Sequence, residues 1–144
     1  MNWTVNDLFS LSLWLAGIGH FGVLGASFQV PARLEWATDL AKLKSLNRKL
    51  MWTYGGFTVL TIMAFGALTL GLHDEMLRGD RAALGLALFI GIYWACRIGV
   101  DAFYFEHSDW PQGRMFVIGH FALTSLFTAL TSVYLGLFVW HSIR

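Results

Sequence analysis

The sequence predicts an all-α integral membrane fold: a four-helix antiparallel bundle forming a single transmembrane domain over residues 1–144, with an amphipathic interfacial helix between its first and second spans. Three observations lead there. Of the 144 residues 56% are apolar and only 13% charged, and the mean hydropathy of +0.57 lies well above that of a water-soluble globule. Four stretches, 8–30, 50–72, 82–105 and 115–140, reach the length of roughly 20 apolar residues that crosses about 30 Å of hydrocarbon. Alternating strand patterns that would suit a membrane barrel are absent, and backbone polar groups in lipid are satisfied only by helices or closed barrels.

The first span follows a head, MNWTVND, with no Lys or Arg, and no small-residue cleavage site follows its apolar stretch, so it reads as a retained helix rather than a removed signal peptide. Pro31 is expected to stop it, because proline lacks an N–H and disfavours helix in the residue before it. In PARLEWATDLAKLKSLNRKL, residues Trp36, Leu40, Leu43, Leu46 and Leu50 recur three or four apart, which predicts an amphipathic surface helix over 32–48, a structural lip over one end of the bundle in preference to a lipid-specific sensor. HDEMLRGDR is a short polar loop, and SDWPQGR a tight turn that makes the third and fourth spans antiparallel neighbours. Trp3 and Trp140 mark one membrane interface and Trp36, Trp52 and Trp110 the other, while Trp14 and Trp94 lie deeper. Cys96 is the only cysteine, so neither an intrachain disulfide nor a thiolate cluster is available.

Short loops that carry Lys and Arg stay on the cytoplasmic side. Arg33, Lys42, Lys44, Arg48, Lys49 and Arg114 fall on one side, and Arg78, Arg81 and Arg144 on the other. That imbalance predicts a multi-pass protein with the long first loop in the cytoplasm and both termini periplasmic. A net charge of +1 gives no reason to expect a nucleic-acid partner.

Ionisable side chains inside a span are costly and usually face the protein interior or water, so each is a functional candidate. Four qualify: His20, Arg97, Asp101 and His120. At 1.5 Å per residue they sit roughly 15, 12, 6 and 9 Å from the cytoplasmic ends of their spans, all in the inner half. The two histidines share the tetrapeptide IGHF, at 18–21 and 118–121. Arg97 and Asp101 are four apart and can pair, with Tyr93 one turn before them on the same stripe. Gly91, Ala95 and Gly99 form a small-residue groove for a close helix neighbour. Gly17, Gly19, Gly22 and Gly25 leave space beside His20 for something flat or for another backbone. Thr124, Thr128 and Thr131 share the His120 face, and Thr58 and Thr61 that of Tyr54, where hydroxyls can bond neighbouring helices or water.

Two histidines at comparable depth and an arginine nearer the aqueous edge suit haem b, with His20 and His120 as axial metal ligands and Arg97 meeting a propionate. Asp101 and Tyr93 complete that cofactor-binding set, and electron transfer is the activity it would serve. A second reading is a quinone or lipid pocket: an imidazole bonded to a carbonyl, Arg97 and Asp101 as a proton-coupled gate, and Phe21, Tyr93 and Phe121 as walls. A third is a non-enzymatic accessory subunit, in which the same groups tie helices together, build a homo-oligomer or dock into a larger membrane complex. Zinc or copper would need a third ligand from Asp101 or His107. Serine- and cysteine-nucleophile motifs are missing, so no catalytic residue is expected, and His73, His107 and His141 at span ends are expected to be wet and structural.

The succession HFGVLGASFQVPARLEWATDLAKL, RKLMWTYGGFTVLTIMAFGALTL and FIGIYWACRIGVDAFYF resembles a bacterial family of small four-helix integral membrane proteins. The resemblance implies a bacterial inner membrane and the same helix count, and brings no activity, cofactor or site residue with it.

Overall fold

The computed structural model describes residues 4–105 and 113–143. The expectations for Trp3, His107, Trp110 and Arg144, and for the SDWPQGR turn as far as Gln112, fall outside the described residues. Within them the chain is helical, without a strand. Four helices are long and apolar enough to cross a membrane: α1 (Val5–Ser27), α4 (Ser45–Gly71), α6 (Arg81–Phe103) and α7 (Arg114–Ser142). They match the four predicted spans to within five residues at either end. Two short helices, α2 (Val30–Arg33) and α3 (Trp36–Asp39), connect α1 to α4, and α5 (His73–Arg78) connects α4 to α6.

Local chemistry sets the ends. Thr4 opens α1 with a capping box, its hydroxyl accepting from the Asp7 N–H at 3.2 Å while the Asp7 carboxylate accepts from the Thr4 N–H at 2.9 Å. Pro31 acts later than expected: α1 already ends at Ser27, and Pro31 sits in the first turn of α2, where a missing N–H costs nothing. Gly79, with φ +84°, closes α5 in the left-handed region.

The surface helix predicted over 32–48 does not form as one element. Glu35 takes φ 49°, ending α2 and tilting α3 away from it, and a 3₁₀ turn over Leu40–Lys42 runs into extended backbone at Leu43 and Lys44. The apolar spacing has a different purpose here. It turns Trp36 onto α4, edge-on to Trp52 at 5.5 Å and against Gly55, and buries Leu40, so the segment is a folded strap rather than a rod.

The helices pair as α1 with α4 and α6 with α7, and α1 against α7 joins the two pairs. α4 and α6 meet through aromatic side chains, Phe65 lying edge-on to Phe89 at 5.8 Å and to Tyr93 at 5.1 Å. Glycines set the approach. An added Cβ at Gly66 would sit 3.1 Å from the Gly17 carbonyl oxygen, and one at Gly91 only 2.6 Å from Leu135. The predicted groove on α6 is therefore used at Gly91, by α7, but is open at Gly99. The core occupies one half of the helices. In α4 the buried residues run only from Ile62 to Thr69, and in α7 only from Phe127 to Leu137. Towards the α1–α4 and α6–α7 connections the side chains are largely uncovered.

Candidate functional site

The polar residues singled out by the sequence fall at two stations. The first is His20, fully buried on α1. Its Nδ1 lies 2.7 Å from the Ala16 carbonyl oxygen, one turn back, so this nitrogen carries the proton and donates. Nε2 then holds the lone pair and accepts from the Trp94 indole N–H at 3.0 Å. Rings of Phe65, Trp94 and Tyr134 enclose it at centroid distances of 6.0, 5.6 and 5.8 Å. Beside them the Tyr134 and Thr69 hydroxyls bond at 2.6 Å, and Thr69 also donates to the Phe65 carbonyl. The glycine space beside His20 is filled at Gly17 by the Leu70 side chain of α4, with the Gly66 carbonyl oxygen behind it, and at Gly19 by Leu126 of α7, and is open at Gly22 and Gly25.

The second station lies on α6 and α7, nearer the long connections. Asp101 is buried, with Arg97 Nη1 at 3.6 Å and His120 Nε2 at 3.5 Å from its two oxygens. The expected Arg97–Asp101 pair is thus present, and His120 joins it from the neighbouring helix. The guanidinium sits over two rings, Phe105 at 5.6 Å and Phe127 at 5.5 Å. Half its character is aqueous, the side chain being 39% exposed, yet Nη1 itself is buried and has no hydrogen-bond partner. Tyr93 packs edge-on against Phe65 and Trp94.

Between the stations stands an aromatic wall. Trp94 stacks on Phe127 at 4.7 Å with 18° between planes, and Phe127 carries Arg97 on its ring. A haem held by His20 and His120 needs a free imidazole lone pair from each and a slot between them. The His20 lone pair is taken by Trp94, which stacks on Phe127, so His20 as placed does not offer the free imidazole that a bis-imidazole haem needs. Among the described residues no three His, Cys, Asp or Glu side chains gather as a metal site.

Other expectations shift in detail. Thr58 and Thr128 return their hydroxyls to the carbonyls four residues back instead of reaching another helix, and the Thr131 hydroxyl is buried without a partner. Trp94 as the partner of His20, and the Thr69–Tyr134 bond between α4 and α7, carried no signal in the sequence, since each pair is far apart along the chain. His73, expected wet, is buried.

Comparison of the chain with protein-family models, with curated proteins and with solved structures gave no match.

Proposed function

We propose that this is a multi-pass protein of the bacterial inner membrane, an antiparallel four-helix bundle whose Arg97–Asp101–His120 station binds a flat, lipid-soluble ligand with oxygen acceptors, a quinone being the class that suits it best. The pairing of Gly17 with Gly66 and of Asp101 with His120 supports the antiparallel reading. The excess of basic residues in the long first loop supports a cytoplasmic location for this end.

One observation carries the ligand reading: Arg97 Nη1 is buried, and it meets Asp101 only across 3.6 Å, without a hydrogen bond. Leaving such a donor unsatisfied costs about 1–3 kcal/mol, more for a charged group, and native structures resolve such atoms with a partner, an ion or a ligand. A quinone carbonyl accepting from Arg97 Nη1 would satisfy it. Phe105 and Phe127, already stacked on the guanidinium, offer flat faces for the ring, and the Asp101–His120 pair adjoins with groups able to exchange protons.

The test is to purify the chain in lipid nanodiscs, extract it with organic solvent for quinone content, and titrate it with a short-chain ubiquinone analogue while following tryptophan fluorescence, to which Trp94 on Phe127 contributes. Stoichiometric quinone that is lost in Arg97→Leu supports the proposal. Retained phospholipid in place of quinone, or binding unaffected by Arg97→Leu, overturns it. A Soret band lost in His20→Ala and His120→Ala would restore haem.

A further inference from the structure

At the opposite end of the helices, independent of the Arg97 station, three side chains far from any nucleophile motif meet in line. His73 opens α5, one residue beyond the end of α4, with its ring packed on Trp14 at 4.9 Å and only 8% of the residue exposed. Its Nδ1 lies 2.8 Å from Asp74 Oδ1. A carboxylate can only accept, so Nδ1 is the protonated nitrogen and in the neutral ring Nε2 holds the lone pair. Nε2 lies 3.2 Å from Ser10 Oγ, whose hydroxyl donates to it in this tautomer; the Ser10 carbonyl oxygen, at 3.3 Å, accepts from Nε2 only when the ring is doubly protonated.

Ser10 differs from six other hydroxyls on these helices. Ser27, Thr53, Thr58, Thr128, Ser132 and Ser142 each donate to the carbonyl four residues back, the usual resting place of a hydroxyl in an apolar helix. The Ser10 hydroxyl meets the imidazole instead. Hydroxyl, imidazole and carboxylate, in bonding order and in the tautomer that lets the ring take the hydroxyl proton, are the parts of an activated serine nucleophile, which is recognised by geometry and not by sequence position.

We propose that Ser10, His73 and Asp74 form a nucleophilic site that hydrolyses carboxylic esters of amphipathic lipids. Ser10 lies roughly 8 Å along α1 from its first residue, the depth at which a lipid presents its ester carbonyls when the helix crosses a bilayer. Exposed Leu8, Leu11 and Leu15 on α1 give acyl chains an apolar surface, and Asp74 opens onto a depression that Asn6, Arg78 and His141 also line. Ser10 Oγ bonds to the ester carbonyl carbon as its proton passes to His73 Nε2. The ester C–O bond breaks and the leaving alkoxide takes that proton. Water then attacks the acyl group on Ser10, giving its proton to Nε2 and on to Ser10 Oγ, and the fatty acid departs. Asp74 is a positioning residue that holds the Nδ1 proton throughout. Asn6, one turn before Ser10 on the same face, brings an amide donor of the kind that stabilises a developing oxyanion.

The experiment treats the purified full chain in nanodiscs with a fluorophosphonate probe, maps the adduct by tandem mass spectrometry, and follows hydrolysis of a medium-chain p-nitrophenyl ester. Phosphonylation at Ser10, with ester turnover reduced at least a hundredfold in Ser10→Ala and His73→Gln, is the expected result. Asp74→Asn slows both reactions by up to about ten-thousandfold with an altered pH profile, and Asp74→Glu recovers part of the rate. Folded wild-type protein without an adduct at Ser10, or turnover that survives Ser10→Ala, overturns the proposal. If His73→Gln fails to fold, adduct mapping on the wild type still decides.

Discussion

The two halves of the helices solve the same problem, polar groups in an apolar chain, in opposite ways. Around His20 every nitrogen and hydroxyl has a partner: His20 with Ala16 and Trp94, Tyr134 with Thr69, Thr69 with Phe65. Backbones close in here because Gly17 and Gly66 allow it. Around Arg97 the charges are paired only at 3.5–3.6 Å, Arg97 Nη1 facing Asp101 without a hydrogen bond, and α4 offers no buried residue before Ile62. The first arrangement specifies a fold, since a satisfied buried network rigidifies its surroundings. The second leaves something to be completed. Holding polar groups in an apolar chain does not by itself make a site; the proposed ligand rests on the looser of the two arrangements.

The largest effect that this contrast predicts belongs to the glycines of the closed half. In Gly66→Leu the new side chain meets the Gly17 carbonyl oxygen and the His20 Cβ, both 3.1 Å from where its Cβ must stand, and neither is the far end of a flexible chain. Overpacking of this kind costs about 1–3 kcal/mol or more, so unfolding in mixed detergent should move to markedly lower denaturant. Gly22→Ala and Gly25→Ala, which enter open space, should leave it unchanged. Equal sensitivity at all three positions would dissolve the distinction between the halves.

Next in size is the His20–Trp94 bond. Trp94→Phe removes the donor and leaves the His20 lone pair buried, a loss of about 1–3 kcal/mol. His20→Phe leaves the indole N–H unsatisfied to similar effect, and the double variant should cost less than the two single losses added together. Strict additivity in a double-mutant cycle would mean that the bond contributes nothing. Tyr134→Phe should be milder, because Thr69 keeps its bond to the Phe65 carbonyl. A loss of about 1 kcal/mol or less is expected from the same unfolding measurement.

Much of this organisation was legible beforehand, for reasons that particular residues make plain. Four apolar runs, whose only ionisable residues are His20, Arg97, Asp101 and His120, announce four helices long and apolar enough to cross a membrane. Arg97 and Asp101 announced their pair because they share a helix face. The continuous surface helix over 32–48 failed because periodicity reports which side chains turn inward and not whether the backbone between them is straight; one left-handed residue, Glu35, keeps the apolar set and breaks the rod. The partner of His20 was invisible because Trp94 lies 74 residues away, and one-dimensional depth placed both imidazoles at one level without showing the rings between them. Ser10 and His73 were hidden in the same way, 63 residues apart.

The smallest stability effect is expected at the open station, and its size separates a tie from a ligand site. With its side chain 39% exposed, Arg97 is screened, and its pair with Asp101 resembles surface pairs worth about 0–1 kcal/mol more than it resembles a buried bridge. Asp101, at 11%, is the more enclosed partner and retains His120 when Arg97 is removed. Arg97→Leu should therefore shift unfolding by about 1 kcal/mol or less while removing bound quinone. If the guanidinium only neutralises Asp101, the Arg97→Leu/Asp101→Leu double variant should be milder than Asp101→Leu alone, which leaves the Arg97 charge without its partner. If Arg97 is held for a ligand, the single and double variants lose quinone binding alike, and restoring the charge balance restores nothing.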